Sequence, residues 1–252
     1  MGMSRADKGK IVATIEARFA SSRLSGKTLL EICGKSTLEL IIERLKMSEF
    51  IDQIVVATTV NKDCDAIEEL AKRNGVGCFR GSEDDVLERV LQAAKTYQAD
   101  VIVEITGDET LIDPEIVDET IRFYLDNNFD YVSNILDRRY PRGLDTQVFA
   151  TKVLEEVAGL TNDPADRENV SLYIYEHPEK YSLGSVKAPD EFNRPEWRWT
   201  LDTKEDFEFL KTVYEALYLE NKVFSVRDIF SFLAKNPDVL EINKEIKQKA
   251  VR

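Results

Sequence analysis

The chain has 252 residues, 43% of them hydrophobic, which suits one sizeable α/β core and is short for two independent domains. Its 34 Lys and Arg against 47 Asp and Glu give a formal charge of -13, which argues against a nucleic-acid partner, since phosphate-backbone binders present a basic face. No apolar run approaches the roughly 18 residues that span a bilayer, and the polar start lacks the apolar centre of a signal peptide, so no membrane association and a cytoplasmic location are expected.

Residues 1–9 are expected to be a flexible N-terminus. From Lys10 to about Ser133, short β-branched runs alternate with amphipathic stretches, the pattern of βαβ repetition and a mainly parallel sheet. Strands are predicted at 10–16, 53–58, 77–80, 100–106 and 130–133, with helices between them. Ser36 with Glu39 and Ser82 with Asp85 have capping-box spacing, and Asp113 before Pro114 supplies an N-cap and a proline at the first helical position. After Asn134 the alternation weakens. A turn at 140–143, a strand at 145–149, helices starting near Thr151 and Asp163, and strands at 181–186 and 196–201 are predicted. The last fifty residues read as helical, with Thr203/Asp206 and Ser225/Asp228 again at capping-box spacing. Cys33, Cys64 and Cys78 are isolated and only His177 could join them in a zinc site, so free thiols are expected. His177, followed by Pro178, reads as a surface residue and leaves no basis for a histidine-centred nucleophilic triad.

In an acidic chain, a segment rich in cations and free of acids is informative. Residues 17–30, ARFASSRLSGKTLL, carry Arg18, Arg23 and Lys27 directly after the first predicted strand, with Ser21, Ser22, Ser25 and Gly26 supplying hydroxyls and backbone freedom. Beyond the carboxyl end of a parallel strand is where an open α/β sheet binds ligands, and Arg forks with a Lys point charge suit a triphosphate. A solvated basic loop is the plain alternative. SSRLSGKT at 21–28 ends like a P-loop, but Ser21 stands where its first glycine belongs, and residues 29–32 look like a short strand rather than a helix.

Two aspartates end predicted strands: Asp108 after Ile105-Thr106-Gly107, and Asp202 after Trp199-Thr200-Leu201. Magnesium takes hard oxygen ligands, commonly one or two carboxylates with phosphate and water, so such a pair facing a basic loop would suit it. Taken singly, Asp108 reads as a turn residue and Asp202 as the neighbour of a Thr203-capped helix. The acids at Asp63, Asp65, Glu83, Asp84, Asp85, Asp166 and Glu168 fall in first turns of predicted helices, where capping explains most of them.

Ile15-Glu16-Ala17-Arg18 with Ser22-Arg23-Leu24-Ser25-Gly26-Lys27 resembles the opening motif of cytidylyltransferases that make CMP-activated acid sugars, closest to the spore-coat-polysaccharide branch and related to the acylneuraminate and 3-deoxy-manno-octulosonate enzymes. Further blocks follow in the same order at 80–87, 105–114, 143–145, 166–168 and 201–207. The resemblance implies a Rossmann-like nucleotide-diphospho-sugar transferase fold over 10–217: a nucleotide-binding half at 10–133, an acceptor and dimerisation segment at 134–202, then a helical extension at 218–252. It implies a homodimer that transfers CMP from CTP to a sugar-like acceptor with magnesium. Ala17, Arg18, Ser22, Arg23 and Lys27 would hold the triphosphate, with Arg18 and Lys27 also serving the chemistry, and Asp108 and Asp202 would hold the metal. Arg80, Ser82 and Asp85 would lie near the base, and Asp145, Arg167 and Glu168 near the acceptor. The chain departs from the pattern with Ser25 and Thr110 for prolines, Glu104 where arginine is frequent, and Asn169 for a histidine. Two rivals are a glycosyltransferase of related fold, disfavoured because Asp108-Glu109-Thr110 lacks an Asp-x-Asp motif, and a non-catalytic nucleotide-sensing subunit.

Overall fold

Near-continuous apolar runs on the parallel strands need a cover on both faces of the sheet, and the chain supplies it with helices. The computed structural model describes residues 9–21 and 23–249; of the expected N-terminal segment only Gly9 is among them, and Ser22 lies outside the described residues. Strands β1 (Ile11–Glu16), β4 (Gln53–Thr59), β5 (Gly77–Gly81) and β6 (Val101–Thr106) pair in parallel. β7 (Tyr131–Ser133), β8 (Gln147–Ala150) and β9 (Leu183–Ser185) extend the sheet, giving the order β5-β4-β1-β6-β8-β7-β9, with β8 antiparallel to both of its neighbours. This is the expected α/β fold with a mainly parallel sheet. β2 (Glu31–Ile32) and β3 (Lys35–Ser36) form a separate hairpin.

Period-two patterning sorts the side chains. Ile11, Ala13 and Ile15 of β1 face the core shared with α1 (Thr37–Leu45), α2 (Asp65–Arg73) and α4 (Pro114–Asp126). Val12 faces the opposite core, with α3 (Val86–Thr96), α5 (Thr151–Leu160) and α7 (Leu172–Glu176). A third core joins α8 (Lys204–Leu217) and α9 (Val226–Lys235) to Trp199, Leu201 and Leu111. Buried Arg44 of α1 ties it to that helix, donating to the carbonyls of Ile112 and Phe224 at 2.5 and 2.8 Å. Among the described residues no helix is long and apolar enough to cross a membrane.

The caps at Ser36/Glu39, Thr203/Asp206 and Ser225/Asp228 are complete boxes, and Asp113 caps α4 with Pro114 in its first turn. Three expectations need correction. The N-cap of α3 is Asp85, which accepts from Glu88 N, while Ser82 accepts from Asp85 N in the turn ahead of the helix. Residues 196–201 form no strand; their backbone makes one parallel bridge, Arg142 to Arg198, and Leu201 N turns instead to the Asp108 carbonyl at 2.9 Å. The C-terminal extension ceases to be helical after the 3-10 turn Pro237–Glu241.

Candidate active site

The loop after β1 leads into a three-residue 3-10 turn, Lys27–Leu29, and then β2, so no helix follows the GKT sequence and the loop is not a P-loop. Gly26 sits at φ 68°, a left-handed conformation that favours glycine, and aims Lys27 back across the sheet edge. The Lys27 ammonium meets Asp202 Oδ1 at 2.8 Å and Asp108 Oδ2 at 3.4 Å. Asp202 Oδ2 forms an ion pair with Arg23 at 2.7 Å and accepts from buried Arg198 at 2.6 Å. The Thr106 hydroxyl donates to Asp108 Oδ1 at 2.5 Å.

Gly107 makes this geometry possible: a Cβ there would stand 2.5 Å from the Glu16 carbonyl oxygen. The bare glycine lets the Asp108 turn close against the end of β1, where Gly107 N donates to that carbonyl at 2.9 Å. Buried Glu109 stitches the turn to the next loop, accepting from Thr106 N at 3.2 Å and from Asp145 N at 3.0 Å. Asp145 is gripped by Arg138 through two bonds of 2.6 and 2.7 Å.

These residues border a cavity of about 270 Å³ lined by Arg18, Arg23, Lys27, Asp108 and Asp202 together with Glu16, Arg89 and Glu168. Burial works against the Lys27 ammonium, but Asp108 and Asp202 outweigh it and raise its pKa. Burial likewise opposes the Asp202 carboxylate, and Lys27, Arg198 and Arg23 overcome it, so its pKa is lowered. The result is an Asp202 carboxylate kept ionised under a cationic loop, with Asp108 beside it on the same ammonium. Two hard oxygen donors converging on one cationic point fit magnesium. Among the described residues no group of three or more His, Cys, Asp or Glu could hold a metal, so its remaining ligands would come from phosphate and water.

Register brings Glu16 and Thr106 to the cavity, with Thr14 and Glu104 in the same layer beyond its lining. Thr14, Glu16, Glu104 and Thr106 lie at paired positions of β1 and β6, and Glu104 is also opposite Gln147 of β8, all toward α3. Burial first, then the neighbouring Glu104, pushes the Glu16 carboxyl well up; burial pushes Glu104 to about 7. Arg89, 2% exposed, fixes the lip by donating to the carbonyls of Ser82 and Glu83.

Among the sequence-predicted residues, Arg18, Arg23, Lys27, Asp108, Asp202 and Glu168 come together, Arg18 facing Glu168 at 3.8 Å. Ala17 is buried beside them, its N–H donating to the Ala57 carbonyl at 3.2 Å. Arg80, Ser82, Asp85, Asp145 and Arg167 stand outside the cavity lining. Arg80 is engaged by Asp65 and Glu68 at 2.7 Å each, and Arg167 faces Asp85 at 3.6 Å. Arg198, outside the residues singled out from the sequence, is bound to Asp202 and Asp206. Its spacing of four and eight residues before those acids was the available signal. Glu16, Arg89 and Lys249 also line the cavity unpredicted. No local pattern marks them, because they meet only through strand register and chain return.

The family model described as cytidylyltransferase matches residues 12–229. An uncharacterized protein of Methanocaldococcus jannaschii is 40% identical over 243 residues, covering 96% of this chain and 98% of its own. The spore coat polysaccharide biosynthesis protein SpsF of Bacillus subtilis is 33% identical over 233 residues, 90% of this chain and 95% of its own. A cytidylyltransferase structure from Leptospira borgpetersenii superposes with a TM-score of 0.87 at 36% identity, over 96% of this chain and 99% of that one.

Proposed function

Because the chain belongs to the cytidylyltransferase family, we propose that it transfers CMP from CTP to a sugar or acidic-sugar acceptor, releasing pyrophosphate, in surface polysaccharide or glycan biosynthesis. The observation that carries the reading is the convergence of Arg23 and Lys27 on Asp202, and of Lys27 on Asp108, beside the carboxyl ends of the parallel strands β1 and β6.

In the proposed reaction an acceptor oxygen attacks the α-phosphorus in line, forming one P–O bond as the bond to pyrophosphate breaks. Arg18, Arg23 and Lys27 hold the triphosphate and steady the departing pyrophosphate. Asp108 and Asp202 would hold magnesium, which supplies charge neutralisation at phosphate oxygens when bound. The Gly107 turn and the Arg198–Asp206 pair, with Arg198 Nε 3.0 Å from Asp206 Oδ1, keep the two carboxylates fixed. Arg80, Ser82 and Asp85 take the base side; Asp145, Arg167 and Glu168 approach the acceptor. A homodimer is kept as part of this proposal, read out by light scattering on the purified chain.

The test is pyrophosphate release from CTP and magnesium with a panel of keto-acid sugars, amino sugars and phosphorylated polyols. Release with one acceptor class, lost in Asp108→Asn, supports the reading. Nucleotide binding without release from any acceptor would favour a nucleotide-sensing role instead.

A further inference from the structure

The chain returns to its own active site at its C-terminal end. Beyond the turn Pro237–Glu241, the buried Asn243 amide donates to the Arg198 carbonyl and to Asp206 Oδ1, each at 2.9 Å. Ile246 N donates to the Asn243 carbonyl at 3.0 Å, which turns the chain, and the Gln248 side-chain oxygen accepts from Arg198 Nη1. One residue on, Lys249 lines the cavity. All of this lies past residue 229, where the family match ends.

The cavity's other cations already have partners: Arg18 faces Glu168, Arg23 and Lys27 face Asp202, and Arg89 holds loop carbonyls. Among the described residues, no hydrogen bond or ion pair engages the Lys249 ammonium, and its side chain is exposed. Its anchor fixes the direction from which it enters. Gln248 holds Arg198, Arg198 holds Asp202 Oδ2 at 2.6 Å, and that same oxygen lies 2.7 Å from the Arg23 guanidinium in an ion pair. Lys249 therefore enters the cavity from the Arg198–Asp202 side, where Arg23 also meets Asp202. An uncommitted ammonium on a long flexible stem is a point charge suited to phosphate oxygens.

We propose that Lys249 is a further binding residue for the nucleotide's β- and γ-phosphates, delivered by a C-terminal strap that Asn243 and Gln248 lock onto Arg198. The inference rests on the reading of this site as a nucleotide site. In the bound state Arg23, Lys27 and Lys249 would converge on the triphosphate from two segments more than two hundred residues apart in sequence.

Isothermal titration of the full chain with magnesium CTP, magnesium pyrophosphate and CMP tests it, on wild type, Lys249→Ala, Lys249→Arg and Gln248→Ala. Loss of one charge-assisted contact should weaken CTP and pyrophosphate binding about tenfold in Lys249→Ala. CMP, which lacks the outer phosphates, should bind both proteins alike, arginine should restore affinity, and Gln248→Ala should weaken CTP in the same direction. The melting temperature of Lys249→Ala should match wild type, since the residue is exposed. If Lys249→Ala binds CTP and pyrophosphate as wild type does, or loses CMP affinity equally, the inference is overturned while the nucleotide site stands. If wild type binds none of the three ligands, the nucleotide reading itself fails and the inference falls with it.

Discussion

Replacing Glu104 by glutamine is expected to stabilise the protein at pH 8 and to change it little below pH 4.5. Glu104 is 5% exposed on β6, and burial moves its carboxyl from an ordinary 4.5 up to about 7. An unfolded chain releases this proton near 4.5 and the folded protein near 7, so between those values the folded state binds the extra proton and stability falls as pH rises. Below 4.5 the contribution is fully present; above about 7 it is lost. That gap corresponds to about 3 kcal/mol, and for a chain of this size it would move the melting temperature by roughly 6–12 °C. Glutamine keeps the shape and cannot ionise. Thermal unfolding by circular dichroism from pH 4 to pH 8 should show Glu104→Gln gaining on wild type as pH rises. Glu109, whose carboxyl burial also pushes up, remains in both proteins, while Glu16 loses the repulsion of Glu104 in the variant, so the difference reports the Glu16–Glu104 pair. Parallel curves for the two proteins would refute the assignment of a neutral, buried carboxyl at this position.

Asp108→Asn should fold normally, since Asp108 lies in a partly exposed turn, yet lose on the order of 10²-fold in pyrophosphate release; turnover near wild type would remove Asp108 from the chemistry. Gly107→Ala must move either β1 or the Asp108 turn, because the new Cβ would stand 2.5 Å from the Glu16 carbonyl. A loss of about 2 kcal/mol in urea unfolding is expected, together with weakened nucleotide binding. Arg138 and Asp145 form a two-bond, mostly buried ion pair. A double-alanine cycle on stability should return a coupling of about 1–3 kcal/mol, and a coupling near zero would show that the pair is held apart in solution.

Local signals carried the sheet and most caps. β1, β4, β5 and β6 each begin and end within a residue or so of the predicted runs, because short β-branched and apolar stretches stand there between turn-forming neighbours. The stretch Trp197-Arg198-Trp199-Thr200-Leu201 also alternates, yet forms no strand: Trp199 is wholly buried, and Phe230 packs against it at 5.6 Å between ring centroids. Its Arg198 is turned to Asp202 and Asp206, an arrangement that packing decides and periodicity does not reveal. Asp108 was legible as a residue just past a strand end, and Asp202 as the residue before the Thr203-capped helix, the strand expected ahead of it being absent. Their convergence on Lys27 was not, because the bond to Asp202 spans 175 residues of sequence. Glu16 and Glu104 look like ordinary strand acids until the β1–β6 register places them in one buried layer. The C-terminal return escaped for a similar reason, since Asn243 and Gln248 acquire meaning only against Arg198.

The most direct measurement is thermal unfolding of wild type, Asp108→Asn and Asp202→Asn with each of the four common ribonucleoside triphosphates, with and without magnesium. A ligand at 100 times its dissociation constant adds about 2.7 kcal/mol, which for a chain of this length is a rise of roughly 5–11 °C. A magnesium-dependent rise with CTP alone, lost in both variants, is the predicted result. A larger rise with another nucleotide would contradict CTP as donor, and no rise with any of the four would contradict the nucleotide site built on Lys27, Asp108 and Asp202.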